Sequence, residues 1–208
     1  MIRLLDVNRD KIPLPLPETH GGMPVVEALA HRRSHREFAA RRPSAAQVAQ
    51  LCWAAQGITE GEQDLRTAPS AGALFPITIF VIDHSGVYQY EPRQHRLHRV
   101  HAGDVRAKLQ AAALDQSCVG SAPLCLVVAF DCARSASKYG RQAERYCLLE
   151  AGHVAQNVLL QATAIGLVGV PVGAFEDERV ATVLGLTPNL RPVYLLPLGA
   201  PLAGCPRI

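Results

Sequence analysis

Much is missing from this chain. It has no Cys-x-x-Cys pair, no Gly-x-Gly-x-x-Gly after a strand-like run and no Gly-Lys-Ser/Thr phosphate loop. The first absence argues against a thiol-based metal or redox framework. The other two mean that any nicotinamide is not held by a Rossmann fingerprint, nor a nucleotide by a P-loop. There is no internal repeat and no low-complexity tract. The opening Met1-Ile2-Arg3-Leu4-Leu5-Asp6 lacks an apolar h-region, so no signal peptide and a cytoplasmic location are expected. A net charge of +3 is too small to point to nucleic acid, and the basic residues of 31–42 are too few for such a surface. Six scattered cysteines read as reduced, small apolar residues, and the His95, His98, His101 series falls on both faces of a strand, so no metal is expected.

What is present suits one folded domain over 1–208, with 49% apolar and 19% charged residues and an extended Pro-rich arm over 1–22. Ser44 is placed to cap a helix that carries Val48, Leu51, Cys52 and Ala55 on one face and stops at Gly57. Shorter helices are expected at Val25–Ala30 and Val105–Leu114. Strands are expected at 77–82, 86–90, 96–100, 124–130 and 193–198, the second and third forming a hairpin. The polar linker from Thr59 to Thr67 reads as mobile. A major helix is expected from about Ala143 to Ile165, where Glu150, His153, Gln156, Asn157 and Gln161 exclude a membrane span. At about 1.5 Å per residue it runs more than about 30 Å. Its apolar surface is wider than one core needs, so a homodimer is expected with this helix at or near the interface. His153, beside Glu150, reads as a hydrogen-bonded buried histidine.

Three segments carry chemistry. Arg32, Ser34 and Arg36 alternate, so an extended backbone points all three to one side, and guanidinium groups bind phosphate in bidentate fashion. Arg33 joins them from the other side or by bending. A solvated basic helix end would look the same. Pro69, Ser70, Ala71 and Gly72 offer small side chains and backbone N–H groups to a ring edge or phosphate, although in isolation they read as a turn. Gly169-Val170-Pro171-Val172-Gly173 follows the long helix and can aim N–H groups at a hydride-accepting position. Together they suggest a nucleotide-like cofactor.

In this order the segments resemble the nitroreductase superfamily, and its SagB-type (azoline dehydrogenase-like) branch in particular. The match includes Leu29-Ala30-x-Arg32-Arg33-Ser34-x-Arg36-x-Phe38, Leu51 to Thr59, Arg66 to Leu74 and Gly86-Val87-Tyr88-x-Tyr90. It continues through Tyr146-x-Leu148-Leu149-Glu150-Ala151-Gly152-His153-Val154-Ala155-Gln156-Asn157 and Leu195 to Gly199. The resemblance implies an α+β fold with a mainly antiparallel sheet and an obligate homodimer with two FMN sites at its interface. By position, Arg32, Arg33, Ser34 and Arg36 would hold phosphate, ribityl chain and pyrimidine. Pro69, Ser70, Ala71 and Gly72 would come from the other subunit, Pro171, Val172 and Gly173 would lie near flavin N5, and Arg207 would match a residue closing on the phosphate. The branch also implies proton removal by Lys138 and Tyr139 as an azoline ring, in a peptide or small molecule, gives hydride to the flavin. The competing readings are an NAD(P)H-dependent nitro or quinone reductase and a non-catalytic flavin-binding subunit of a peptide-modifying complex.

Overall fold

The computed structural model describes residues 10–203. In chain order the elements are β1 (Lys11–Pro13), α1 (Val25–His31), α2 (Ala45–Gln56), β2 (Ile58–Glu60), β3 (Leu65–Arg66), β4 (Ile77–Asp83), β5 (Gly86–Glu91) and β6 (Arg96–Ala102). Then come α3 (Arg106–Ala112), α4 (Ser117–Ser121), β7 (Leu124–Asp131), α5 (Cys132–Tyr139), α6 (Ala143–Ala164), β8 (Val168–Gly169), α7 (Asp177–Leu184) and β9 (Leu190–Gly199).

Seven strands form one sheet in the order β1-β6-β5-β4-β7-β9-β8, and every neighbouring pair is antiparallel. The continuous apolar runs of β4 and β7 sit at its centre because both faces are covered. Ile77, Ile79 and Val81 of β4, with Leu124, Leu126 and Val128 of β7, pack under α2 and α6. Phe80 and Ile82, with Cys125 and Val127, pack on the opposite side under α3, α4 and α7. The result is a three-layer α+β architecture with a long helix across one face.

Local chemistry sets the boundaries. Ser44 accepts from Gln47 N while Gln47 Oε1 accepts from Ser44 N, a reciprocal cap at the start of α2. Gly57 ends that helix, and α6 ends one residue short of the expected Ile165. The Pro-rich arm is an edge: β1 pairs with β6, and His95 holds the following turn through Tyr90 Oη and the Pro15 carbonyl.

Two expectations are corrected. The 59–67 linker is an ordered β2–β3 pair whose turn is tied down by an Asp64–Arg93 ion pair. His153 is exposed, and Glu150 takes the buried place in α6. Among the described residues the cysteines are free and all but Cys132 are buried, and no cluster suited to a metal ion occurs.

Candidate functional site

Two assemblies arise from the three chemistry-bearing segments. The first lies at the β9–β8 edge of the sheet. Arg32 closes α1 by donating from its backbone N to Ala28 O, and its ψ of 120° sends the chain out extended. Ser34 then bridges Gly169 in parallel, His35 N donates to Gly169 O at 3.1 Å, and Ala39 N donates to Ala200 O at 2.9 Å. The next turn is held the same way, Val172 exchanging hydrogen bonds with Leu195 at 2.8 and 2.9 Å. Gly199 lets this layer close, since a Cβ there would meet Phe38 Cβ at 2.8 Å. Backbone pairing thus joins the 32–36 segment to Gly169, at the start of the stretch that runs on to Pro171, Val172 and Gly173.

The arginines of this assembly have no ion-pair partner among the described residues. Arg33 donates only to the Arg32 carbonyl, and among the described residues none of Arg32, Arg33 and Arg36 makes an ion pair. Three guanidinium groups with no ion-pair partner among the described residues fit a dianionic phosphate. The field of Arg36 reaches Cys118, whose thiol burial pushes up and Arg36 pulls back.

The second assembly is built from turns at the ends of β4 and β7. Thr67 is pinned through its N to Gly57 O, its Oγ1 to Trp53 O and its carbonyl to Asn157 Nδ2. Beyond it Ser70 runs extended, Ala71–Ala73 form one tight turn, and three residues take positive φ: Gly72 at 62°, Ala73 at 53° and Phe75 at 48°. For Ala73 and Phe75 this is strained backbone, tolerated only where surroundings over-determine it. They do so here. Ser70 Oγ accepts from Phe75 N at 2.9 Å, Arg134 Nη1 donates to Phe75 O at 2.9 Å, and the Arg66 guanidinium lies 4.5 Å over the Phe75 ring.

Lys138 and Tyr139 occupy the last turn of α5, a helix started by Asp131 accepting from Ala133 N. A Cβ on Gly72 would stand 2.7 Å from Tyr139 Oη and 2.8 Å from Lys138 Nζ. Both polar tips therefore close on the glycine of the loop. Tyr139 is steadied edge-on by Tyr146 at 4.7 Å between ring centroids. In this chain alone the Lys138 side chain is exposed. Arg207 lies outside the described residues.

Behind the loop is a group that sequence reasoning passed over. Glu150 is 2% exposed, and burial pushes its carboxyl up to about 7 against the opposing influence of the nearby Ser70, Arg66, Gln56 and Arg134. Arg66 Nη1 donates to Gln56 Oε1 at 2.6 Å. A carboxylate inside the apolar run Leu148-Leu149-Glu150-Ala151 was the signal available for finding it.

Fold and geometry define an α+β protein whose antiparallel sheet ends in a basic segment at one edge and a small-residue loop near its centre. The Nitroreductase family profile matches residues 29–200, and the chain belongs to that family. Membership makes it an oxidoreductase. A Methanocaldococcus jannaschii protein assigned as a nitroreductase, MJ1384, is 35% identical over 196 residues, covering 91% of this chain and 97% of its own. A crystal structure assigned as a nitroreductase, from Ralstonia eutropha, superposes with a TM-score of 0.86 at 28% identity, covering 96% of this chain and 93% of that one. The NADPH:FMN oxidoreductase of Vibrio harveyi, solved with NAD+, gives a TM-score of 0.65 at 25% identity over 88% of this chain and 71% of that one. A chain of the Escherichia coli microcin synthetase McbBCD complex, solved with a truncated pro-peptide, shares the fold at 21% identity and a TM-score of 0.71, covering 91% and 78%.

Proposed function

We propose that the chain is an FMN-dependent oxidoreductase, one nitroreductase-like domain acting as a homodimer, and a SagB-type dehydrogenase of azoline-like rings in a modified peptide or small molecule. The observation that carries the reading is the convergence of Lys138 Nζ and Tyr139 Oη on Gly72. A loop that can receive a flat ring thereby gains a candidate base and a hydroxyl at one point.

The fit to the cofactor rests on two features. The unpaired guanidinium groups of Arg32, Arg33 and Arg36, with the Ser34 hydroxyl, suit the phosphate and ribityl chain. The Pro69–Gly72 turn offers N–H groups with no side chain beyond Cβ at Ala71 and Gly72. Bound FMN supplies a two-electron acceptor that takes hydride at N5. Pro171, Val172 and Gly173 would border its ring and exclude water. Lys138 Nζ would receive the proton that leaves an azoline as its hydride is removed, with Tyr139 Oη holding the ring nitrogen or relaying that proton.

Dimerisation is supported by apolar surface without cover in one chain. Val25 and Val26 on α1 are 69% and 75% exposed, and Leu29, Leu148 and Leu149 are exposed with them. A cavity of about 410 Å³ lies beside α1 and α6, lined by Met23, Trp53, Asn157 and Leu160 among others. No helix among the described residues is long and apolar enough to cross a membrane.

A second reading, NAD(P)H-dependent reduction of nitroaromatics or quinones, draws on the likeness to the Vibrio harveyi NADPH:FMN oxidoreductase. Two measurements separate the readings. Purified protein should be yellow, and bleaching by NADPH supports the reductase, while indifference to NADPH supports azoline oxidation. Lys138→Ala should abolish azoline oxidation with flavin retained. Equal oxidation by variant and parent removes Lys138 from the chemistry.

A further inference from the structure

We infer that the cavity between Arg66 and Arg134 is a binding site for a small carboxylate or a similar planar oxyanion. The site goes beyond the proposed function and does not depend on it.

The cavity measures about 100 Å³ and lies against β4, β5 and α5. With a water molecule taking about 30 Å³, it has room for about three waters or one ion of the size of formate. Arg66, Arg134, Gln56, Gln89 and Thr78 line it with two guanidinium groups, two amides and a hydroxyl. Among the described residues no carboxylate lines it.

Two buried donors at this cavity have no acceptor. Gln56 is 1% exposed; its Oε1 accepts from Arg66 Nη1 at 2.6 Å, and its Nε2 has no partner. Arg66 Nε is buried and unpartnered as well. One Gln56 N–H can turn toward the buried, unpartnered Glu150 Oε1, but the second and the Arg66 Nε–H still lack an acceptor. Water supplies oxygen atoms but no charge. An oxyanion supplies both, and a planar one matches the guanidinium fork. The fork is already fixed, since Arg66 lies over the Phe75 ring and Arg134 Nη1 donates to Phe75 O at 2.9 Å.

The charges favour an anion. Neither arginine makes an ion pair among the described residues. Burial and the Arg134 charge pull the Arg66 pKa down, against Glu150 and Tyr90. Glu150 acts on both arginines from α6, but burial keeps its carboxyl protonated up to about 7. An anion in the cavity makes ionising Glu150 harder still, so binding should weaken as pH rises through about 7. Tyr90 from β5, Cys52 from α2 and Cys147 from α6 are held neutral by burial.

The test titrates sodium formate into the purified full-length chain and follows arginine Nε–H signals by NMR. Sodium gluconate, whose anion is larger than the cavity, holds the ionic strength constant. The Arg66 signal is assigned by its loss in Arg66→Lys. Ligands of so few atoms bind no tighter than about millimolar, so a saturable shift with a Kd on that order is expected. Arg134→Gln should weaken formate at least about tenfold, and chloride, which cannot take two parallel N–H bonds, should bind more weakly than formate. Arg134 is exposed, so this variant should fold; Gln89→Ala tests the same wall if it does not. Between pH 6 and pH 8 affinity should fall at least about threefold in the parent and stay level in Glu150→Gln. A shift that never saturates, equal affinity in Arg134→Gln, or the same pH dependence in Glu150→Gln overturns the site.

Discussion

The two assemblies solve opposite problems. At the β9–β8 edge, ordinary extended backbone pairs with Gly169 and Ala200 and carries three guanidinium groups that make no ion pair among the described residues. At the Gly72 loop the backbone is unusual, the side chains are small, and the charge lies behind the turn in Glu150, Arg66 and Arg134. One region contributes attraction and the other shape. Attraction tolerates imprecise placement because Coulomb forces fall slowly with distance. A ring edge within contact range of backbone N–H groups tolerates none, so the second region spends a buried network on rigidity.

Breaking the first region should have the largest effect. Arg32→Ala with Arg36→Ala removes charge-assisted phosphate bonds worth about 1.5–3 kcal/mol each, so FMN affinity should fall by at least about 100-fold. Fluorescence titration against riboflavin, which has no phosphate, sharpens this. Riboflavin binding should change little, and an equal loss for both ligands would mean the arginines do not read phosphate.

The buried network predicts a pH profile of stability. In the folded chain Glu150 titrates at about 7, against 4.5 for an unburied glutamate. The folded state therefore keeps a proton that the unfolded state releases between those values. Its stabilising contribution is complete below about 4.5 and lost as pH rises through about 7, worth at most about 3 kcal/mol. Thermal unfolding should show Tm rising from pH 8 to pH 5.5 in the parent, and a flatter profile in Glu150→Gln. Identical profiles would place the carboxylate in contact with water.

Gly72→Ala tests the loop's shape. The positive φ costs an alanine about 1 kcal/mol, and its Cβ must displace the tips of Tyr139 and Lys138. Turnover should drop further than stability, because those tips yield easily while their placement is what the chemistry needs. The smallest effect belongs to a control far from both regions. Ser44→Ala removes the α2 cap, should cost about 1 kcal/mol in denaturant unfolding, and should leave flavin affinity unchanged.

Much of this was readable in the chain. The apolar runs at 77–82 and 124–130 fall on the central strands, and Ser44 with Gly57 bounds α2. The chemistry-bearing segments were visible as motifs, although only the folded chain brings the 32–36 and 169–173 segments together and joins 69–72 to Lys138 and Tyr139. What was hidden has physical reasons. The two-residue β8 is too short for any period to show. The β2–β3 pair is polar, and its order depends on a side-chain tie from Asp64 to Arg93, which a linker reading misses. His153 was misplaced by a small angle: at 100° per residue it lies about 60° beyond Glu150, just outside the stripe that buries Cys147, Ala151 and Val154. The same geometry hid Glu150, a charge on the stripe's margin.

The central claim is that one flavin is gripped by the arginine segment of one copy and the Gly72 loop of another. A hybrid dimer tests it most directly. One chain carries Arg32→Ala and Arg36→Ala, the other Gly72→Val, and each alone should bind no FMN. Mixed and refolded together, they should regain one FMN per heterodimer, because one of its two sites draws both halves from unaltered regions. No recovery in heterodimers shown to have formed would place both halves in one chain and contradict the account.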